Sequence, residues 1–230
     1  MKFLTCLAVL SVVTAGCSSG GSSPSTSAAP TGESRRAHPA DAFRDTVGVA
    51  SLQQLRHMAV SGKASALLTG HASDIDRARL GDAERTKEVR CKDLAEYRAG
   101  DDVRPLLVEQ DAVYYPVSVD GEVVSSVAMR KQPDGTWDVA GMGRATLAKA
   151  IDQTGKKLAA SRGVEDHALV EIRALHLRFL EDDAAGQPML TPLEDVAAIG
   201  LKAGQSAPAA DVFEGLAERA QSVCGGSSSR

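Results

Sequence analysis

The sequence predicts an α+β domain with a curved antiparallel sheet, formed by a meander and a C-terminal hairpin, and with helices packed on its apolar face. Three alternating segments between residues 113 and 142 are joined by two short turns, and amphipathic segments precede and follow them. Hydrophobic residues make up 43% of the 230 residues but aromatic residues only 3%, which predicts an aliphatic core.

The N-terminus has the features of an export signal. Lys2 precedes an apolar run at residues 3–13, which is too short to cross a bilayer as a helix. The run ends in the string TAGC at residues 14–17, which resembles the lipobox of bacterial lipoproteins. The resemblance implies cleavage of a signal peptide at residues 1–16 and attachment of a diacylglyceryl group to the sulfur of Cys17. A plain cleaved signal peptide, with Cys17 incidental, is the alternative.

A Ser-, Gly- and Pro-rich segment follows Cys17 and extends to residue 40. It has no apolar periodicity, so we expect a flexible tether, followed by a single domain at 41–224 and a disordered tail at 225–230. The resemblance implies that acylated Cys17 holds the domain on the extracytoplasmic face of the cell membrane, or at the outer membrane of a Gram-negative cell. The lipid bilayer is then its first partner.

The first folded segment, residues 41–59, has apolar residues at helical spacing, with Asp41 as a predicted N-cap. Gly48 is a position at which this helix can divide. Residues 63–69 can extend the helical region, and Gly70 can end it.

The meander consists of VYYPVSV (113–119), EVVSSVAMRK (122–131) and TWDVAGM (136–142). Asp120 and Gly121 supply a two-residue turn that favours positive φ. Pro116 indicates an edge or a bulge, because proline cannot donate to a ladder. Weaker strand candidates lie upstream at residues 86–97 and 104–110.

Three elements are predicted after the meander. Residues 144–161 form an amphipathic helix. Residues 167–181 fit a strand or a helix, and the polar stretch at 182–187 favours a strand within a hairpin. A terminal helix at residues 211–223 has an apolar stripe of Val212, Phe213, Leu216 and Ala220. The order of all these elements resembles that of cystatin-like and nuclear-transport-factor-like curved sheets, an architectural analogy that carries no function.

Cys91 and Cys224 remain once Cys6 is lost with the signal and Cys17 is acylated. An even pair in an oxidising compartment predicts a disulfide between them. Two separate buried thiols are the alternative, and no CxxC motif indicates a metal or redox role.

Candidate motifs for chemistry have simpler structural interpretations. Gly141-x-Gly143 fits a strand-to-helix turn better than a phosphate loop, because the neighbouring strands are antiparallel. His71-x-x-Asp74-x-Asp76 could offer metal ligands but serves equally well in turns.

Lone histidines and short acidic runs are also ordinary structural features. His167 and His176 are interpreted as structural residues, and the acidic runs at 101–102 and 181–183 as solvated turns. Within the predicted domain at 41–224, motifs such as G-x-S-x-G and H-E-x-x-H do not occur. We therefore assign no catalytic, cofactor-binding or metal-binding residues and no cofactor.

The net charge of −4, without a basic run in the sequence, argues against nucleic-acid binding. We expect a non-catalytic binding or accessory domain whose partner is an extracytoplasmic protein or a small ligand. The alternative is a small hydrolase or transferase with a dispersed active site. A deep pocket with converging ionisable side chains would favour the enzyme, and shallow depressions over a filled core would favour the binder.

Overall fold

The structure is a computed structural model that describes residues 40–60, 76–184 and 186–225. Over these ranges it has the predicted α+β fold, with nine strands in one mostly antiparallel open sheet and five α-helices. Helix α1 (Asp41–Phe43) continues through a π-helical turn into α2 (Val49–Val60), and α3 (Cys91–Glu96), α4 (Ala145–Arg162) and α5 (Ala209–Cys224) follow. In the described part of the chain, no helix has the length and hydropathy that a membrane span requires.

The strands lie in the order β5-β4-β3-β2-β6-β7-β8-β9, and the short β1 pairs with β3 beside β2. Only the pairing of β2 with β6 is parallel among the described strands, and it joins the meander to the C-terminal hairpins. The bounds are β1 (Arg79–Leu80), β2 (Glu84–Glu88), β3 (Val108–Val119), β4 (Glu122–Lys131), β5 (Trp137–Gly143), β6 (Ala168–Ile172), β7 (Leu177–Ala184), β8 (Gln187–Pro192) and β9 (Ala207–Pro208).

Helices cover both faces of the sheet, whereas the sequence predicted one covered face. Tyr114 packs with α4, and its neighbour Tyr115 packs in the core that includes Leu52 and Leu55 of α2. Adjacent strand residues point to opposite faces, so α4 and α2 lie on opposite sides. In β7, Leu180 likewise packs with α4, and the adjacent Phe179 packs in the core that includes α5. We call the two sides the α4 face and the α5 face.

Pro116 lies within a strand that is paired on both sides, so β3 is not an edge strand. The carbonyl of Pro116 accepts from the amide of Gly81 at 2.8 Å, which places the proline nitrogen on that side too. On that side strand pairing is interrupted between β1, which ends at Leu80, and β2, which begins at Glu84. The missing N–H of Pro116 therefore breaks no ladder hydrogen bond. The β3–β4 register also shifts one residue further on, between Val117 and Ser118.

The first helix begins at Asp41 itself, so its N-cap is Ala40, one residue before the predicted N-cap. Asp41 is already helical, and its Oδ1 accepts a hydrogen bond from the hydroxyl of Tyr115 at 3.0 Å. Thus it ties the helix to β3 instead of capping it. The change from π-helical to α-helical geometry falls directly after Gly48, where the sequence allowed a division. The predicted extension at 63–69 lies outside the described residues.

Two other predicted segments differ in the structure. Residues 167–181 are extended, as favoured, but a tight turn at Arg173–His176 divides them into β6 and β7. Of the weak upstream candidates, 86–97 ends as helix α3 and 104–110 begins as a 3₁₀ turn, at Arg104–Leu106, before β3. Helix α5 matches its predicted stripe, with Val212, Phe213, Leu216 and Ala220 buried.

A disulfide joins Cys91 and Cys224 across 133 residues, as the sequence predicts. It links the first residue of α3 to the last residue of α5. The two helices already pack together in one core, in which Leu94 of α3 and Leu216 of α5 are fully buried. The covalent bond therefore reinforces the α5 face.

Candidate functional site

A cavity of about 430 Å³ opens on the α4 face, at the N-terminal end of α4. Its floor is built from small residues of β3, β4 and β5, namely Ala112, Ala128 and Gly141. Small side chains on neighbouring strands leave a hollow because α4 covers only the part of the sheet next to them. A volume of this size suits a small-molecule ligand.

Arginines from four elements line this hollow, which we call the arginine cavity. They are Arg130 of β4, Arg144 before α4, Arg173 in the β6–β7 turn and Arg178 of β7. His176 lines the same wall. Arginine side chains bind phosphate and carboxylate groups in a planar, bidentate manner, so this lining is suited to an anion.

Glu171 of β6 is the carboxylate around which three of the arginines are arranged. The Nε of Arg178 donates to its Oε1 at 3.3 Å, and an amino nitrogen of Arg144 lies 3.8 Å from the same oxygen. The Nε of Arg173 lies 3.4 Å from Oε2. The Glu171 side chain is only 11% exposed, so it is a buried carboxylate that the three guanidinium groups share as a common partner.

The cations outnumber the carboxylates around the arginine cavity. Glu88 lies outside the lining but reaches Arg173, at 3.9 Å. Asp138 is opposite Arg130 in the β4–β5 register, yet its carboxylate accepts from the amide of Val139 at 2.7 Å. Among the described residues, no carboxylate lies within 4 Å of the Arg130 side chain. Within 4 Å, the four guanidinium groups thus contact two carboxylates among the described residues, and Asp138 adds a more distant negative charge beside Arg130.

Tyr114 forms part of the wall beneath Arg144. An amino nitrogen of Arg144 donates to the Tyr114 hydroxyl at 2.6 Å. Burial raises the pKa of Tyr114, the charge of Glu171 raises it further, and the three nearby arginines oppose the shift. The phenol therefore stays neutral and remains a hydrogen-bonding group at physiological pH.

Two residues of the arginine cavity have left-handed backbone conformations. Arg144 has φ +53° and His176 has φ +56°; the third such non-glycine residue in the described structure, Asp120, occupies the hairpin turn. Asp and His are enriched among non-glycine residues at positive φ, whereas Arg is not. Glycine would fit both positions more easily than a residue with a side chain.

Hydroxyl groups on the wall are directed to the backbone. Oγ1 of Thr86 donates to the carbonyl of Ala112 at 2.7 Å, and Oγ of Ser126 donates to the carbonyl of Gly143 at 2.5 Å. Neither hydroxyl is hydrogen-bonded to a base, and a guanidinium cannot act as one because it stays protonated. The arrangement is suited to holding an anion.

No family model, curated protein or solved structure matches this chain. The arginine cavity is therefore interpreted from its own geometry. The cystatin-like and nuclear-transport-factor-like comparisons remain architectural analogies.

A second charged group lies under α4, and three of its four side chains are buried. Nε2 of His167 is 3.3 Å from Oε2 of Glu84, and both side chains are 9% exposed. Arg162 donates two hydrogen bonds to Asp182, at 2.9 and 3.0 Å. Burial raises the pKa of Asp182, with Arg162 opposing the shift. We call these four residues the closed cluster.

The closed cluster corrects one interpretation made from the sequence. The acidic run 181–183 was expected in a solvated turn, but Glu181 and Asp182 are buried within β7. Glu181 pairs with Lys87 at 2.8 Å, as Asp182 pairs with Arg162. The run 101–102 is exposed, as expected.

The histidine and metal-ligand candidates lie only partly within the described residues. His167 is buried beside Glu84, while His176 is exposed at the arginine cavity. Asp76 lies near Arg56, at 4.0 Å, whereas His71 and Asp74 lie outside the described residues, as does Cys17. Within the described ranges, no three His, Cys, Asp or Glu residues are grouped as metal ligands.

The arginines of the cavity were missed in the sequence. They are spread over residues 130–178, and only the pairing of the strands brings them together. A local signal was available at residues 173–178, where Arg173, His176 and Arg178 fall close together. Gly141 was also assigned to a turn, although it forms part of the floor.

Proposed function

We propose that the chain is a bacterial lipoprotein whose folded domain is a non-catalytic binding module for an anionic ligand. Acylated Cys17 would hold the domain on the extracytoplasmic face of the membrane, and the arginine cavity would take the ligand. The excess of guanidinium groups over carboxylates in a concave site is the observation that supports binding of an anion.

The rival enzyme hypothesis has one supporting feature, because ionisable side chains do converge in the arginine cavity. The chemistry of these groups favours the binder. Arginine cannot take a proton from a substrate, Glu171 is bound to three arginines, and the nearby hydroxyls donate to carbonyl groups. A nucleophile with an adjacent base is the arrangement that would favour a hydrolase or transferase.

Anion binding can be tested by calorimetry with pyrophosphate and citrate as probes. We expect wild-type protein to bind at least one of them, with affinity that falls as salt rises. Arg144→Gly and Arg178→Met should each weaken binding about tenfold or more, the effect of losing one charged hydrogen-bonding partner. Arg144→Gly should not lower the melting temperature, because glycine is favoured at φ +53°.

The matched control is Arg219→Ala, which removes an exposed arginine from α5, outside the arginine cavity. Its affinity for the probes should equal that of the wild type. Equal losses in all three variants would indicate a general charge effect and contradict the proposed site, as would wild-type protein that binds neither probe.

Lipid anchoring has a separate test in cells. Metabolic labelling with a fatty acid should mark the wild-type protein but not Cys17→Ala, and globomycin should block maturation at the signal peptide. Labelled lipid that still migrates with Cys17→Ala would contradict the assignment.

A further inference from the structure

A second depression adjoins the arginine cavity on the same side of the sheet. It has a volume of about 390 Å³ and shares two residues of its lining, Arg144 and Arg178, with the arginine cavity. Both arginines lie close to the same oxygen of Glu171, at 3.8 and 3.3 Å, so their guanidinium groups cannot be far apart. This pair of arginines therefore lines the boundary between the two hollows.

The lining of the second depression differs in chemistry from that of the first. Leu147 and Ala150 of α4 and Leu193 after β8 provide half-buried apolar surface. Beyond the two shared arginines, the charged residue of this lining is Glu194, which is exposed. A second anionic group would be repelled by Glu194, while an uncharged chain could cover the leucines.

We propose that the ligand is an anionic amphiphile, a phosphate or carboxylate head with an uncharged alkyl chain. This proposal rests on the proposed function. The head binds in the arginine cavity, the chain passes beside Arg144 and Arg178, and its first carbons cover Leu147, Ala150 and Leu193. Two adjoining concave sites, one cationic and one apolar, are complementary to such a molecule, and their volumes suit a small ligand better than a protein surface.

Methyl phosphate and hexyl phosphate, which share a head and differ in the chain, test this proposal. Calorimetry on the wild type, below the concentration at which hexyl phosphate aggregates, should give about tenfold tighter binding for hexyl phosphate. Ala150→Gln places a polar side chain in the second depression and should remove this gain without changing the affinity for methyl phosphate. Ala160→Gln makes the same change at an exposed position of α4 and should keep the gain.

The outcomes separate the two proposals. If wild-type protein binds neither pyrophosphate nor citrate, the proposed function is wrong. If it binds one of them but hexyl phosphate binds no more tightly than methyl phosphate, the proposed function stands and the amphiphile is wrong. A gain that persists in Ala150→Gln, or hexyl phosphate binding that survives Arg144→Gly and Arg178→Met, also overturns the amphiphile, because the chain or the head then lies elsewhere.

Discussion

The two ends of α4 lie over the same face of the sheet but over different sets of charges. At the C-terminal end, the closed cluster pairs Arg162 with Asp182 and His167 with Glu84, and both acids are buried. At the N-terminal end, the arginine cavity is open and its cations exceed its carboxylates. Leu169 and Leu180, packed under the middle of the helix, separate the two.

At the closed end the charges are paired and the acids are buried, whereas at the open end the arginine side chains are partly exposed to solvent. A buried carboxylate needs its partner, because an uncompensated charge in the interior is costly. An exposed guanidinium is solvated, so its removal leaves no buried unpaired charge and changes the free energy of unfolding little. Arginine thus has different surroundings at the two ends of one helix, and substitutions can distinguish them.

The largest expected effect is on stability, from Arg162→Met at the closed end. It leaves Asp182 buried without its bidentate partner, and we expect a loss of about 3–5 kcal/mol. Burial already raises the pKa of Asp182 above its ordinary 3.8, and the variant should raise it further. The folded variant then holds a proton that the unfolded chain releases, so its deficit should grow as pH rises from mildly acidic to neutral.

Urea unfolding of the variant and the wild type, at one mildly acidic pH and at neutral pH, measures this prediction. A deficit that is the same at both pH values would show that Asp182 does not take up the proton.

A smaller effect is expected from Gly155→Ala, also over the closed cluster. A Cβ at this position would lie 2.9 Å from Cε1 and 3.1 Å from Nε2 of the buried His167 ring. Alanine normally stabilises a helix interior relative to glycine, but here the clash should cost about 1–3 kcal/mol. Thermal or urea unfolding gives the difference.

The control for this prediction removes the ring. In a His167→Ala background, Gly155→Ala should be neutral or stabilising, because the methyl group then has room. If the cost of Gly155→Ala is the same in both backgrounds, contact with His167 is not its cause.

The smallest effect on stability is expected from Arg144→Met at the open end. The Arg144 side chain is 54% exposed, so its loss should change the free energy of unfolding by no more than about 0.5 kcal/mol. The same urea experiment measures it beside Arg162→Met. A loss as large as that of Arg162→Met would mean that the arginine cavity is a structural cluster.

Local patterns in the sequence predicted the meander and the helices that follow it. The alternation in 113–131 and the Asp120-Gly121 turn are properties of neighbouring residues, so they appear without knowledge of the fold. The sequence did not predict the burial of Glu181 and Asp182, because β7 is covered on both faces. The partners of these two acids, Lys87 and Arg162, lie far from them in the chain.

The arginine cavity depends on strand order, which the sequence could not provide. Arg130 and Arg178 approach one hollow only because β2 and β6 pair in parallel and join the meander to the hairpins. The predicted all-antiparallel sheet contains no such junction. The site therefore follows from the topology, and its individual residues look like ordinary surface charges in the sequence.

The bond between Cys91 and Cys224 encloses all four arginines of the site within one covalent loop. A protease that nicked the domain once, at an exposed turn such as Gly135, would leave two fragments joined through sulfur. In the proposed lipoprotein both fragments would stay tethered to the lipid at Cys17. Shedding of the C-terminal fragment would require a reductant in addition to the cut.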